Sequence, residues 1–137
     1  MTNINAVWIL ENVYQKIYIT QTILNEYELP IPNFIEVKEV NDLNLLRVLN
    51  GYLDPGEASA IALGIENPES ILILDDLKGR KEAQKLKLRF TGTLGVLIRA
   101  KKENHIPDLL FYFDLLRESG FRISEKIIDL AIQQSNL

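Results

Sequence analysis

Cysteine is absent from the 137 residues, which excludes a disulfide framework and any thiolate chemistry and suits a reducing cytoplasm. Histidine occurs once, at His105, and a chain with one histidine and no cysteine is a poor zinc binder. That histidine sits at a lysine-rich helix end before a proline, where a C-terminal capping role is expected. No uninterrupted apolar stretch approaches the roughly 20 residues that a membrane-spanning helix needs. The N-terminal MTNINAVWILENVY has neither a basic start nor a long apolar centre, so no signal peptide is expected. A glycine-rich phosphate loop is missing too, TGTLG at 91–95 being too short to count as one, and no nucleophile elbow appears.

What remains is ordinary globular composition, 47% apolar and 25% charged, in a length suited to one domain spanning residues 1–137. The net charge of −4 conceals a strong internal asymmetry. Residues 1–76 carry 3 basic and 12 acidic side chains, whereas residues 77–102 carry 9 basic ones against Glu82 alone. Taken by itself, the basic stripe reads as a solvated helical face that pairs with the acidic half. It is also able to meet phosphates.

Apolar periodicity and turn residues predict an alternation of strands and helices. Residues 4–14 read as a short amphipathic helix, 16–20 (KIYIT) as a strand, and 21–29 as a helix closed by Pro30 and Pro32. FIEVKEV (34–40) alternates as a half-exposed edge strand does. Asp42 is placed to cap a helix running to Leu49. In LDPGEASAIALG, Asp54 fits an N-cap, Pro55 the first helical position and Glu57 the closing acid of a capping box, with Ala58, Ile61, Ala62 and Ile65 on the buried side. ILILD (71–75) is the unbroken apolar run of a parallel strand covered on both faces. A basic helix, a short strand at RFTG, and three further helices beginning near Thr93, Pro107 and Ser124 complete the chain. This alternation implies an α/β fold with a mainly parallel sheet and helices on both faces.

In such folds the working crevice lies beyond the carboxyl ends of the strands, where Asp75 and Asp76 stand. Adjacent strand residues point to opposite faces, so one of the two projects into the crevice while the other is free to cap the following helix. Glu57, at the start of the preceding helix, and Glu26, at the end of the helix after KIYIT, are further candidates, each with a purely structural alternative as cap partner or solvated helix end. Thr93 follows the next strand. Clustered carboxylates repel unless a cation joins them, and hard divalent ions prefer oxygen ligands, which points to Mg²⁺ or Mn²⁺.

The series GEASAIAL, ILILDD with a basic helix, FTGTLGVLIRAKK and LLRESGFRISEKII resembles a subgroup of PIN-like proteins close to the VapC-type toxin nucleases. The resemblance runs from about Lys16 nearly to the C-terminus. It implies a three-layer α/β fold with a central parallel sheet, a magnesium- or manganese-dependent endoribonuclease activity, and a cytoplasmic toxin that forms a homodimer and meets an antitoxin. It also implies site roles: Glu26, Glu57 and Asp76 as metal ligands, Asp75 and Thr93 in support, and Lys78, Arg80 and Lys81 at RNA phosphates. One departure stands out. The family opens with a hydrophobic strand ending in an aspartate ahead of the first helix, and here Met1 falls almost inside that helix. The expectation is therefore an N-terminally truncated PIN-like domain. Loss of one well-placed electrostatic group lowers turnover by roughly a hundred- to a thousand-fold. A catalytically inactive PIN-like protein serving as a binding or dimerisation module is thus the alternative to the nuclease.

Overall fold

Strand-forming sequence is present where expected, but the strands it yields are short. The structure, a computed structural model, describes residues 8–26, 31–121 and 123–135. In chain order it contains α1 (Trp8–Val13), β1 (Ile17–Ile19), α2 (Gln21–Glu26), β2 (Ile35–Val37), α3 (Leu43–Asn50) and α4 (Pro55–Glu66). These are followed by β3 (Leu72–Ile73), α5 (Leu77–Lys85), β4 (Phe90–Thr91), α6 (Thr93–Lys102), α7 (Leu109–Glu118) and α8 (Glu125–Ser135). The chain divides into two compact units, one formed by residues 1–15 with 93–137 and the other by residues 16–92.

The unit of residues 16–92 is built around α4. Its alanines and glycines let neighbouring elements approach closely: a Cβ placed on Gly64 would lie 2.9 Å from a methyl of Leu72. Ala58, Ile61 and Ala62 pack with Leu49, Leu53, Leu72, Leu74 and Ala83 into one core, and Ile65 joins it partly buried. Each large aliphatic side chain taken fully from water there contributes about 1.5–3 kcal/mol. Two hydroxyls tie α2 to α4. Ser59 Oγ donates to the Gly56 carbonyl at 2.8 Å, which leaves Thr20 Oγ1 to donate to Ser59 Oγ at 2.6 Å. Thr20 Oγ1 in turn accepts from the Ile23 N–H at 3.2 Å, so both buried hydroxyls are satisfied.

All strand pairing among the described residues is parallel, as expected of an α/β fold, yet it forms two separate pairs, β1 with β2 and β3 with β4. Ile17 stands opposite Ile35 in the first pair and Leu72 opposite Phe90 in the second. β2 is the half-exposed strand that alternation predicted. The 71–75 segment departs from expectation. Leu72 and Leu74 are buried, but Ile71 and Ile73 are 38% and 36% exposed, so one face only is covered. A run of like aliphatic residues carries no facial signal, and here α4 supplies cover on one side.

The other unit is all helical among its described residues. α6 contacts α1, α7 and α8, and α7 contacts α8. Ile9, Val96, Leu97, Phe113 and Leu116 are almost fully buried. The expected caps are mostly present: Asp42 accepts from Leu45 N–H in α3, and Ser124 from Ile127 N–H in α8. α7 begins two residues later than Pro107, with Asp108 as its cap, accepting from Leu110 N–H. His105 stands just past the end of α6, its Nε2 3.4 Å from Glu103 Oε1. The expected helix at 4–14 is described only from Trp8, and the end of the 21–29 helix, together with Pro30, lies outside the described residues.

Candidate functional site

Acidic side chains gather around the first turn of α4. Pro55 starts the helix and Glu57 occupies its third position, so a capping box would turn the Glu57 carboxylate back toward Asp54. The structure shows a different arrangement. Asp54 makes no side-chain capping bond. Glu57 reaches across to α5 instead, where a Cβ on Gly79 would lie 2.6 Å from its Oε2. Only glycine leaves room for that oxygen. There the Glu57 carboxyl meets Asp76, the N-cap residue of α5, while Oε2 is buried with no hydrogen-bond partner.

The electrostatic consequence follows directly. Burial, a shared hydrogen bond with the Asp76 carboxyl, and the charges of Asp76 and Asp54 together push Glu57 up to about 7 from an ordinary 4.5. A backbone hydrogen bond from Asp76 offsets part of the rise. The N-terminal ends of α4 and α5 lend further partial positive charge to acids in their first turns. Two helix ends soften the repulsion between the carboxylates without removing it.

Glu26 comes to the same turn from α2. A Cβ on Gly56 would lie 3.0 Å from Glu26 Oε2 and 3.6 Å from Asp54 Oδ2. Glu57 with Asp76, and Glu26 with Asp54 across Gly56, are thus neighbouring acidic pairs on one helix end. Among the described residues no three acidic or histidine side chains close into a group able to hold a metal ion. Asp75 lies past the end of β3, and its Oδ1 stands 2.9 Å from where a Cβ on Gly92 would be, whereas Asp76 meets Glu57. Thr93 opens α6 in the other unit, where it is 2% exposed.

The basic residues of α5 split between two sides. Lys78 and Lys81 line a groove of about 400 Å³ together with Lys85, Tyr52, Leu53 and Glu82. Arg80, on another side of the helix, holds its guanidinium 5.6 Å from the centre of the Phe90 ring. Asp54, Lys85 and Tyr52 were not singled out for function from sequence. Lys85 was accessible from the i, i+3, i+7 spacing of Lys78, Lys81 and Lys85, whereas Tyr52 is joined to the groove only by tertiary packing.

The family model described as DUF3368: PIN domain aligns with residues 1–137, the full length and both units. No curated protein and no solved structure matches the chain. With a family match over every residue, this chain belongs to the PIN-domain family.

Proposed function

We propose that this protein is a metal-dependent endoribonuclease, the toxin half of a toxin–antitoxin pair acting in the cytoplasm as a homodimer. The observation that carries the reading is the Glu57–Asp76 pair: two carboxyls held together, one buried oxygen without a partner, and a protonation equilibrium pushed to about 7. With Glu57 ionised the two carboxylates repel each other, and a hard divalent cation is what such an oxygen cluster suits.

The oxygen donors of Glu57 and Asp76 are of the kind that Mg²⁺ or Mn²⁺ takes, as a pair and not as a closed group of three among the described residues. Glu57 and Asp76 would hold the ion, with Asp54, whose charge acts on Glu57, and Glu26 as further carboxylates on the same helix end. A bound divalent ion supplies activation of water and neutralisation of charge on a phosphodiester. The chain's own groups do the rest. Glu57 would hold the ion as the carboxylate anion. Gly79 leaves the space that lets its carboxyl reach Asp76. Lys78, Arg80 and Lys81 are assigned to RNA phosphates, with the two lysines directed into the groove. Asp75, whose Oδ1 stands beside Gly92, is assigned to support of the site and not to the ion.

One observation favours a second reading, an inactive PIN-domain protein that binds or dimerises. The acids form pairs and no closed group of three among the described residues. Titration calorimetry with Mn²⁺, run beside an RNA cleavage assay, separates the two. The nuclease reading expects binding and manganese-dependent cleavage, both lost in Asp76→Asn. Binding without cleavage supports the inactive protein, and no binding at all removes the metal proposal.

A further inference from the structure

From the groove on α5 we infer a track for single-stranded RNA that leads away from the carboxylates, formed by Lys78, Lys81 and Lys85 on one wall and Tyr52 on the other. The inference rests on the nuclease reading and extends it by naming where the strand runs. Lys78, Lys81 and Lys85 are spaced i, i+3 and i+7, which places them in one row along the helix, and all are exposed. Gly79 and Ala83 turn the other way and are buried, while Glu82, also buried, lines the groove with the lysines. The row has a direction. Asp76 stands at the N-terminus of α5 beside Glu57, without a side-chain capping bond, so along the helix Lys78 is the lysine nearest the acids and Lys85 the farthest. Seven helical residues span roughly 10 Å at 1.5 Å each. That matches about three phosphates of a stacked strand at roughly 3.4 Å per nucleotide.

The opposite wall is held in place. Tyr52 donates its hydroxyl to Glu82 Oε1 at 2.8 Å, and Glu82 Oε2 lies 3.8 Å from Lys85 Nζ. Glu82 is 9% exposed, so one buried carboxylate anchors both an aromatic ring and the far lysine of the row. Tyr52 itself remains 49% exposed. An exposed ring fixed by its hydroxyl, facing a row of cations, suits a base stacked on the aromatic with its backbone on the lysines. An acidic peptide would use the lysines and leave the ring idle. A duplex keeps its bases paired and unavailable for stacking.

Fluorescence anisotropy of a labelled RNA of about a dozen nucleotides, measured in EDTA over a range of salt, tests this. Replacing Lys78, Lys81 and Lys85 together by Gln should shrink the log–log salt slope by about 2 and weaken binding at low salt by about tenfold or more. Lys81→Gln alone should remove about 0.7 of the slope, which keeps the test open if the triple variant folds poorly. Tyr52→Ala should cost about tenfold with the slope unchanged, and Tyr52→Phe much less. The control removes three exposed cations elsewhere, Arg47, Lys102 and Lys126, by change to Gln. The track is overturned if wild type does not bind, if the control weakens binding as much as the groove variant, or if polyglutamate or a hairpin duplex competes as well as the single strand with no dependence on Tyr52. Mn²⁺ calorimetry on the groove variants reads the carboxylates separately. Lost RNA binding with intact Mn²⁺ binding supports the track, and lost Mn²⁺ binding in wild type refutes the metal site while leaving the RNA measurement standing.

Discussion

Replacing Glu57 by Gln should make the metal-free protein more stable at pH 8, which is opposite to the usual effect of altering a half-buried side chain. Glutamine mimics the protonated carboxyl in shape and removes the charge that Asp76 and Asp54 oppose. The sign follows from linkage. Because burial and the Asp76 carboxyl raise Glu57 to about 7 in the folded chain, against 4.5 ordinarily, the folded state binds more protons than the unfolded state between those values. The stability that this proton provides is complete below about 4.5 and is lost as pH rises through 7. Wild type and Glu57→Gln should therefore unfold alike near pH 4.5 and separate progressively up to pH 8. A shift of this size corresponds to about 3 kcal/mol for a fully enclosed group. Solvent reaching the half-buried side chain reduces the expected gain to about 1–2 kcal/mol, or about 5 °C in melting temperature.

The assay is urea or thermal unfolding in EDTA at a series of pH values, repeated with Mn²⁺. Metal should reverse the order: an ion at a hundred times its dissociation constant adds about 2.7 kcal/mol to wild type and nothing to a variant that cannot bind it. A Glu57→Gln protein less stable than wild type at pH 8 in EDTA would refute the reasoning, since the carboxylate would then be making a net favourable contact. A difference that does not vary with pH would refute it equally.

Two glycine substitutions should diverge. Gly79→Ala meets the mobile end of Glu57 at 2.6 Å, so the carboxyl should swing aside, abolishing Mn²⁺ binding by calorimetry while helix propensity leaves stability equal or up to about 1 kcal/mol higher. Gly64→Ala meets the packed Leu72 side chain at 2.9 Å and should cost about 1–3 kcal/mol in urea unfolding, without a direct effect on metal. Asp108→Ala removes the cap of α7 and should cost about 1 kcal/mol, again with Mn²⁺ affinity unchanged. Ser59→Ala strips the buried Thr20 hydroxyl of its acceptor and should cost about 1–3 kcal/mol, read as a lower urea midpoint.

What the sequence made legible was local. Asp42 and Ser124 cap their helices because a side-chain oxygen needs only the backbone two or three residues ahead, and that is written in the chain itself. Asp54 and Glu57 carry the same kind of signal, and there it misled. The N3 position of Glu57 allows a capping box, but Asp76, which takes its carboxyl, lies at the start of another helix, and Gly79, which leaves room for it, appears in sequence as an ordinary weak helix former. β3 failed for a related reason, since four adjacent aliphatic residues do not say which face a neighbour will cover. Strand alternation was expected to send Asp75 and Asp76 to opposite faces, but β3 ends at Ile73, so the two aspartates stand in the connection to α5, where alternation does not apply. The resemblance located Glu26, Glu57 and Asp76 as one set; the structure places Glu57 with Asp76 and Glu26 beside Gly56, a pairing that motif order alone does not give.

The two stretches of opposite charge then acquire a common explanation. On charge alone, the lysines of 77–102 pair with the acidic first half, and a chain that used them so would neutralise its carboxylates and need no cation. α5 is arranged otherwise. Its N-terminus bears Asp76 against Glu57, its buried side presents glycine, glutamate and alanine, and its row of lysines faces a groove instead of those acids. Glu82 is the acid that does take a lysine, and it does so at the far end of the helix while holding Tyr52. Repulsion at one end of a nine-residue helix and unspent positive charge along its side are both costs to a protein selected for stability alone. They become useful together if a divalent ion fills the first and a polyanion the second, and Glu57→Gln combined with the lysine replacements should show the two contributions to be separable: stability rising from the first change, RNA affinity falling from the second, with neither altering the other's effect.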